Sequence, residues 1–135
     1  MSSTKGFTLI ELVVTLTILA IISAVAIPAY TQYTRRAARS DAMTVLNQLR
    51  LRQEQYRFTH PTYAQTLASV SIGTLSTREH YGMAITQADS ASFVATATPR
   101  GSQSADACGS FAIDQDGPLY SQNATQYADA ACWQR

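Results

Sequence analysis

From Phe7 to Tyr30 the chain reads FTLIELVVTLTILAIISAVAIPAY, a nearly unbroken apolar run. About 20 such residues are enough to cross a bilayer. Beyond it the pattern becomes periodic: Ala38, Ala42, Val45, Leu49 and Tyr56 fall at spacings of four, three, four and seven, one apolar stripe on a helix. The stretch TQYTRRAARSDAMTVLNQLRLRQEQYRF contains neither Gly nor Pro and is rich in helix formers, and His60-Pro61 then stops it. A helix from Phe7 to Phe58 would be roughly 78 Å long. A chain of 135 residues cannot bury that length, so the apolar half is expected to project.

After His60 the period changes. His60 to Thr77 shows no long repeat and reads as an irregular loop folding back on the helix. Tyr81, Met83 and Ile85 then alternate with smaller or polar residues, as do Phe93, Ala95 and Ala97, and Phe111 and Ile113. Alternation over short runs predicts strands with one buried face. The polar Gln87 to Ser90, the breaker Pro99-Arg100-Gly101 and the turn pair Asp116-Gly117 separate them. The expected fold class is α+β: a long N-terminal helix with a projecting apolar half, packed on a small antiparallel meander of three or four strands.

Composition adds a charge asymmetry. The formal net charge is only +1, which provides no general field for nucleic acid. Arg35, Arg36, Arg39, Arg50, Arg52 and Arg57 nevertheless crowd the amphipathic helix against Asp41 and Glu54, while the C-terminal half carries six carboxylates against Arg78, Arg100 and Arg135. The basic stretch has few interleaved aromatics and no recognition motif, so it argues against nucleic acid as a partner. A juxtamembrane positive face, or ion pairs between subunits, uses it better.

Candidate chemistry is sparse. No nucleophile–base constellation, phosphate loop or zinc spacing appears, and His60 and His80 have no assignable partners, so neither enzyme activity nor a cofactor or metal is expected. Asp114-x-Asp116-Gly117 could be a fragment of a calcium loop but lacks the distal bidentate acid, which leaves a turn as the better reading. Asn123-Ala124-Thr125 matches a glycosylation sequon that is common by chance.

The apolar run admits three readings. It is a secretory signal cut after Ala26, where Ala24-Val25-Ala26 gives a small-x-small site, and the product is then a soluble secreted binding domain. Otherwise it is a permanent anchor, or a segment that begins in the membrane and later packs in protein. Glu11 bears on the choice, because a carboxylate inside a membrane segment costs about 2.5 to 3.5 kcal/mol and needs a partner or a route to water.

The order Lys5-Gly6-Phe7-Thr8-Leu9-Ile10-Glu11, followed at once by the aliphatic run, resembles the type IV prepilin signature. The resemblance implies that a prepilin peptidase cuts between Gly6 and Phe7 and methylates the Phe7 amine. It implies too that Glu11 neutralises that amine on a neighbouring subunit in the filament. Similar pilins carry a proline where Pro28 stands and loosen the helix before it on assembly; here the corresponding stretch, Ala20 to Pro28, has Ala20 where many have Gly. Pro28 in any case removes one backbone hydrogen bond and disfavours helix at Ile27. The expected organisation is a leader at 1–6, an apolar membrane and filament-core helix at 7–30, an amphipathic helix at 31–59, and a connecting loop with a disulfide-closed sheet at 60–135.

Cys108 and Cys132 are the only cysteines, and in a domain sent across a membrane a disulfide is their expected state. The run Ala95-Thr96-Ala97-Thr98-Pro99, then Gly101, Cys108-Gly109, Phe111-Ala112-Ile113-Asp114, Gly117 and Cys132-Trp133 resembles the PilE-type minor pilins. Pro118-Leu119 and the terminal Gln134-Arg135 depart from that pattern. The resemblance implies a structural subunit that joins or primes a type IV pilus for adhesion, twitching motility or DNA uptake, with a major pilin or a type II secretion pseudopilin as alternatives. Its implied partners are the prepilin peptidase, major and minor pilins and the inner-membrane assembly machinery. It implies a single-pass inner-membrane location before assembly and an extracellular one after.

Overall fold

The computed structural model describes residues 6–121 and 126–134. The leader residues Met1 to Lys5, the Asn123-Ala124-Thr125 sequon and Arg135 lie outside the described residues. One helix, α1, runs over Leu9–Arg57 and continues through Pro28. Pro28 has no N–H to offer the Ala24 carbonyl, yet the helix is not interrupted at Ile27 as the sequence pattern suggests. One missing bond is a small defect in a cooperative helix of 49 residues.

The chain divides into two compact units, Met1–Thr34 and Arg35–Arg135. In the first, every described residue is exposed, including Leu12, Leu16, Ile21 and Ile22. This part of α1 is long and apolar enough to cross a membrane. Four of its threonine hydroxyls turn back onto the helix: Thr15 donates to the Leu12 carbonyl and Thr17 to the Val13 carbonyl, both at 2.8 Å, and Thr31 and Thr34 to the Ile27 and Thr31 carbonyls.

In the second unit, Ala38, Ala42, Val45, Leu46 and Leu49 form the buried face of α1. They share one core with Tyr81, Met83, Phe93, Ala95, Ala97, Phe111 and Ile113. The sheet has four antiparallel strands in the order β1 (Tyr81–Ala88), β2 (Phe93–Pro99), β3 (Phe111–Asp114) and β4 (Pro118–Leu119). Met83 pairs with Ala97, and Ala97 with Phe111 on its other side, so inward side chains lie in rows across the sheet. Large residues alternate with alanine across these rows, which lets α1 approach closely at Ala38 and Ala42. A bulge between Ile85 and Gln87 shifts the register, and Gln87 points to solvent.

The helical stripe differs from its predicted form at two positions. Leu46 is fully buried although it lies off the predicted spacing, and Gln53, not Tyr56, continues the buried face. Tyr56 is half-buried and stacks on His60 with ring centroids 3.8 Å apart. Gln53 exchanges two hydrogen bonds of 2.8 Å with the Ala64 backbone, its amide donating to the carbonyl and its carbonyl accepting from the N–H. A polar side chain here imitates a strand partner and fastens the connecting segment, whose regular structure is one 3-10 turn at Ala68–Val70.

Cys108, just before β3, is bonded to Cys132 in the short helix α2 (Ala130–Trp133). Asp129 caps α2 by accepting from the Cys132 N–H at 2.9 Å. Trp133 meets Phe111 and Tyr120 edge-on. The bridge closes a loop with a sequence separation of 24. Replacing both cysteines by serine is expected to cost on the order of 3 kcal/mol in the chain-entropy account, read as a lower urea midpoint for the full chain in detergent.

Candidate functional site

Helix α1 begins in a capping pattern, Thr8-x-x-Glu11. The Glu11 N–H donates to the Thr8 hydroxyl at 3.3 Å, and the Leu12 N–H to the Thr8 carbonyl at 3.2 Å. Gly6 and Phe7 precede the helix and are exposed, Phe7 at 85 %. The helix starts just beyond them, at Leu9. Glu11 lies in the first turn, where the free N–H groups and the helix dipole favour a carboxylate by themselves. In the sequence Glu11 stands out as a membrane cost and as an assembly determinant but not in this local role, for which the Thr-x-x-Glu spacing is the signal.

A second constellation holds the sheet unit to its helix. Arg39 clamps Asp106 with two parallel hydrogen bonds, Nε to Oδ2 at 2.7 Å and a guanidinium amine to Oδ1. The Asp106 side chain is almost fully buried. Gln103 donates to Asp106 Oδ2 at 2.9 Å and to the Tyr81 hydroxyl at 3.1 Å, closing a network of four side chains. Arg39 and Asp106 are opposite charges that the charge pattern offered to contacts between subunits. Here they neutralise each other inside one chain. The bond to Asp106 raises the Arg39 pKa further above its ordinary value, against the cost of its own burial.

Tyr81 titrates abnormally because it is buried. Desolvation pushes its phenol up to about 12, while the Gln103 hydrogen bond pulls the other way. The folded value exceeds the unfolded one, so the stability linked to this group is complete below pH ~10 and is lost as pH rises toward ~12. The loss amounts to about 2 to 3 kcal/mol. Tyr81→Phe should therefore flatten the fall in stability between pH ~10 and ~12, measured by chemical unfolding across that range.

At the opposite end of the sheet, Asp114 accepts from the Asp116 and Gly117 N–H groups at 2.8 and 2.9 Å, and Gly117 has φ of 142°. The Asp114 carboxylate is spent on its own turn, which accounts for the Asp-x-Asp-Gly motif without an ion. Asp89 similarly accepts from the Ala91 and Ser92 N–H groups, which hold its carboxyl below the usual range. Arg57 ties the end of α1 to this region by donating to the carbonyls of His60 and Ser90, each at 3.0 Å. Pro28 is exposed within the apolar segment.

Comparisons with known proteins bear on both parts. A prokaryotic N-terminal methylation motif matches residues 1–27. The fimbrial protein of Neisseria meningitidis serogroup A is 34% identical over 94 residues, covering 70% of this chain and 54% of its own length. That of serogroup B is 38% identical over 72 residues, 53% of this chain and 42% of its own. Prepilin peptidase-dependent protein D of Escherichia coli is 54% identical over 43 residues, 32% of this chain and 30% of its own. The chain spans about half the length of the Neisseria relatives it matches. The family described as "Type IV minor pilin ComP, DNA uptake sequence receptor" matches residues 28–112. With the helix-on-sheet fold and more than half of the sequence so matched, the chain belongs to this family of type IV minor pilins.

Proposed function

We propose that the chain is a structural subunit of a type IV pilus, made as a membrane-anchored precursor, cut between Gly6 and Phe7, methylated at the Phe7 amine and inserted into the filament. The observation that carries this is an apolar helical segment, wholly exposed, directly behind an exposed Gly6-Phe7 and a methylation motif. An isolated chain leaves that surface uncovered, and lipid before assembly and neighbouring pilin helices after it are the two environments that cover it. Partners on this reading are a prepilin peptidase, major and minor pilins and the inner-membrane assembly machinery; the role is structural, not catalytic. Glu11 adds register, because an unpaired carboxylate in the filament core is costly and a neighbour's cationic amine removes the cost.

The test is the N-terminal sequence and intact mass of the chain taken from its native membrane or fibres. N-methyl-Phe7 is the expected terminus. An unmodified Ile27 would overturn the proposal and leave a secreted disulfide-bonded domain.

The family description favours a second reading, in which this subunit serves DNA uptake. It is tested by duplex DNA retained on purified fibres with and without the subunit. Retention that depends on the subunit, discriminates between sequences and falls with salt supports it. Equal retention by both fibres removes it.

A further inference from the structure

We infer that the end of the sheet unit nearest Arg35 is a docking face for anionic lipid headgroups, which seats the subunit on the membrane surface before it enters a filament. This rests on the anchored precursor proposed above and adds to it a lipid specificity. The charged residues of the unit are sorted along the axis of α1. Gln103 donates to the Arg35 carbonyl, Asp106 pairs with Arg39, and the Arg78 N–H donates to the Asp41 carboxylate at 2.9 Å. The loops carrying Arg78, His80 and Arg100 therefore lie level with Arg35 to Asp41, a rise of only about 9 Å. This is close to one Debye length at physiological salt. In the sequence the apolar segment ends immediately before Arg35, so the chain enters this face directly from the segment that a bilayer would surround.

Five arginines gather there, Arg35, Arg36, Arg39, Arg78 and Arg100, against Asp41, Glu79, Asp106 and Asp129, the last close enough to Arg39 to raise its pKa. Arg39 and Asp106 cancel each other, and the Asp41 carboxylate accepts from backbone. Among the described residues no carboxylate pairs with the guanidinium of Arg36, Arg78 or Arg100, and all three residues are exposed. Arg100 is held in place: its N–H donates to the His80 carbonyl at 2.9 Å, and its alkyl stem lies over Gly82, where a Cβ would come within 3.4 Å of it. With Leu75, Glu79, His80, Gly101 and Ser102 it lines an open groove of about 400 Å³. Asp89, Asp114 and Asp116, by contrast, sit level with Arg50 to Arg57, at least about 14 Å beyond Asp41 along the helix. They are beyond the range in which they could repel the same membrane.

Continuity with the membrane segment favours lipid over nucleic acid for this face. The experiment is hydrogen–deuterium exchange of the full chain in nanodiscs of phosphatidylcholine alone or with 30% phosphatidylglycerol. In the anionic discs the amides of residues 76–82 and 100–106 should exchange roughly fivefold more slowly, while residues 88–92 at the far end are unchanged. High salt, or the exposed pair of changes Arg78→Gln and Arg100→Gln, should erase the difference. Equal exchange in the two discs would overturn the inference with Phe7 still the native N-terminus, and so without touching the proposed function. Protection that appears in neutral discs only when duplex DNA is added would also overturn it and assign the face to nucleic acid.

Discussion

Glu11→Ala is expected to yield precursor that is cut and methylated normally but is missing from purified fibres, a reduction of tenfold or more relative to the unsubstituted chain. The carboxylate has two physical roles, and they separate by substitution. One is local: Glu11 stands in the first turn of α1, where Thr8 accepts its N–H and where the helix dipole favours negative charge. The other is the one proposed for the filament, the neutralisation of a neighbour's amine in a low-dielectric core, where a charge pair is far stronger than in water. Glu11→Gln preserves the capping pattern and removes only the charge. Both variants absent from fibres assigns exclusion to charge. Glutamine restoring incorporation would assign it to the helix start, and Thr8→Val should then fail in the same way. Immunoblots of sheared fibres against membrane fractions, with the N-terminal mass as a control for processing, separate these outcomes.

The sequence disclosed most of the fold because the two halves obey different periods. Ala38, Ala42, Val45 and Leu49 line one face of a helix, and Tyr81, Met83, Phe93, Ala95, Ala97, Phe111 and Ile113 alternate along strands; all of them enter one core. Asp116-Gly117 forms the turn its dipeptide suggests, and Cys108 and Cys132 are bonded. Buried polar residues were illegible. Gln53 and Gln103 drew no reading from the sequence because nothing local distinguishes a glutamine that will fasten distant backbone, as Gln53 does for Ala64, from one that faces water. The same blindness hid Asp106, whose partner Arg39 lies 67 residues away in the chain.

Pro28 teaches a related lesson from the opposite side. A proline lowers local helix propensity, but propensity is a weak prior when both flanks are strongly helical. The stretch from Ala20 to Pro28 is helical, with every side chain exposed. Its hydrogen bonding is one bond short at the Ala24 carbonyl. The helix is nevertheless continuous there.

The largest stability effect should come from the Arg39–Asp106 clamp. Asp106→Ala leaves the Arg39 guanidinium, with its side chain 18% exposed, facing a void where its counter-charge was, and takes an acceptor from Gln103 as well. Removing one partner of a buried pair typically costs about 3 to 5 kcal/mol. In a sheet unit of this size that corresponds to a fall in Tm of more than about 10 °C. The pair itself need not be worth that much, since each ion was also desolvated to form it. Hence Arg39→Met combined with Asp106→Leu should recover most of the loss, to within about 2 kcal/mol of the unsubstituted chain. Thermal unfolding of the full chain in detergent, followed by near-ultraviolet circular dichroism of the core tyrosines, measures all three. A double variant as unstable as Asp106→Ala would mean that the clamp is a net contributor, binding α1 to the Gly101–Ala105 turn more strongly than apolar packing could.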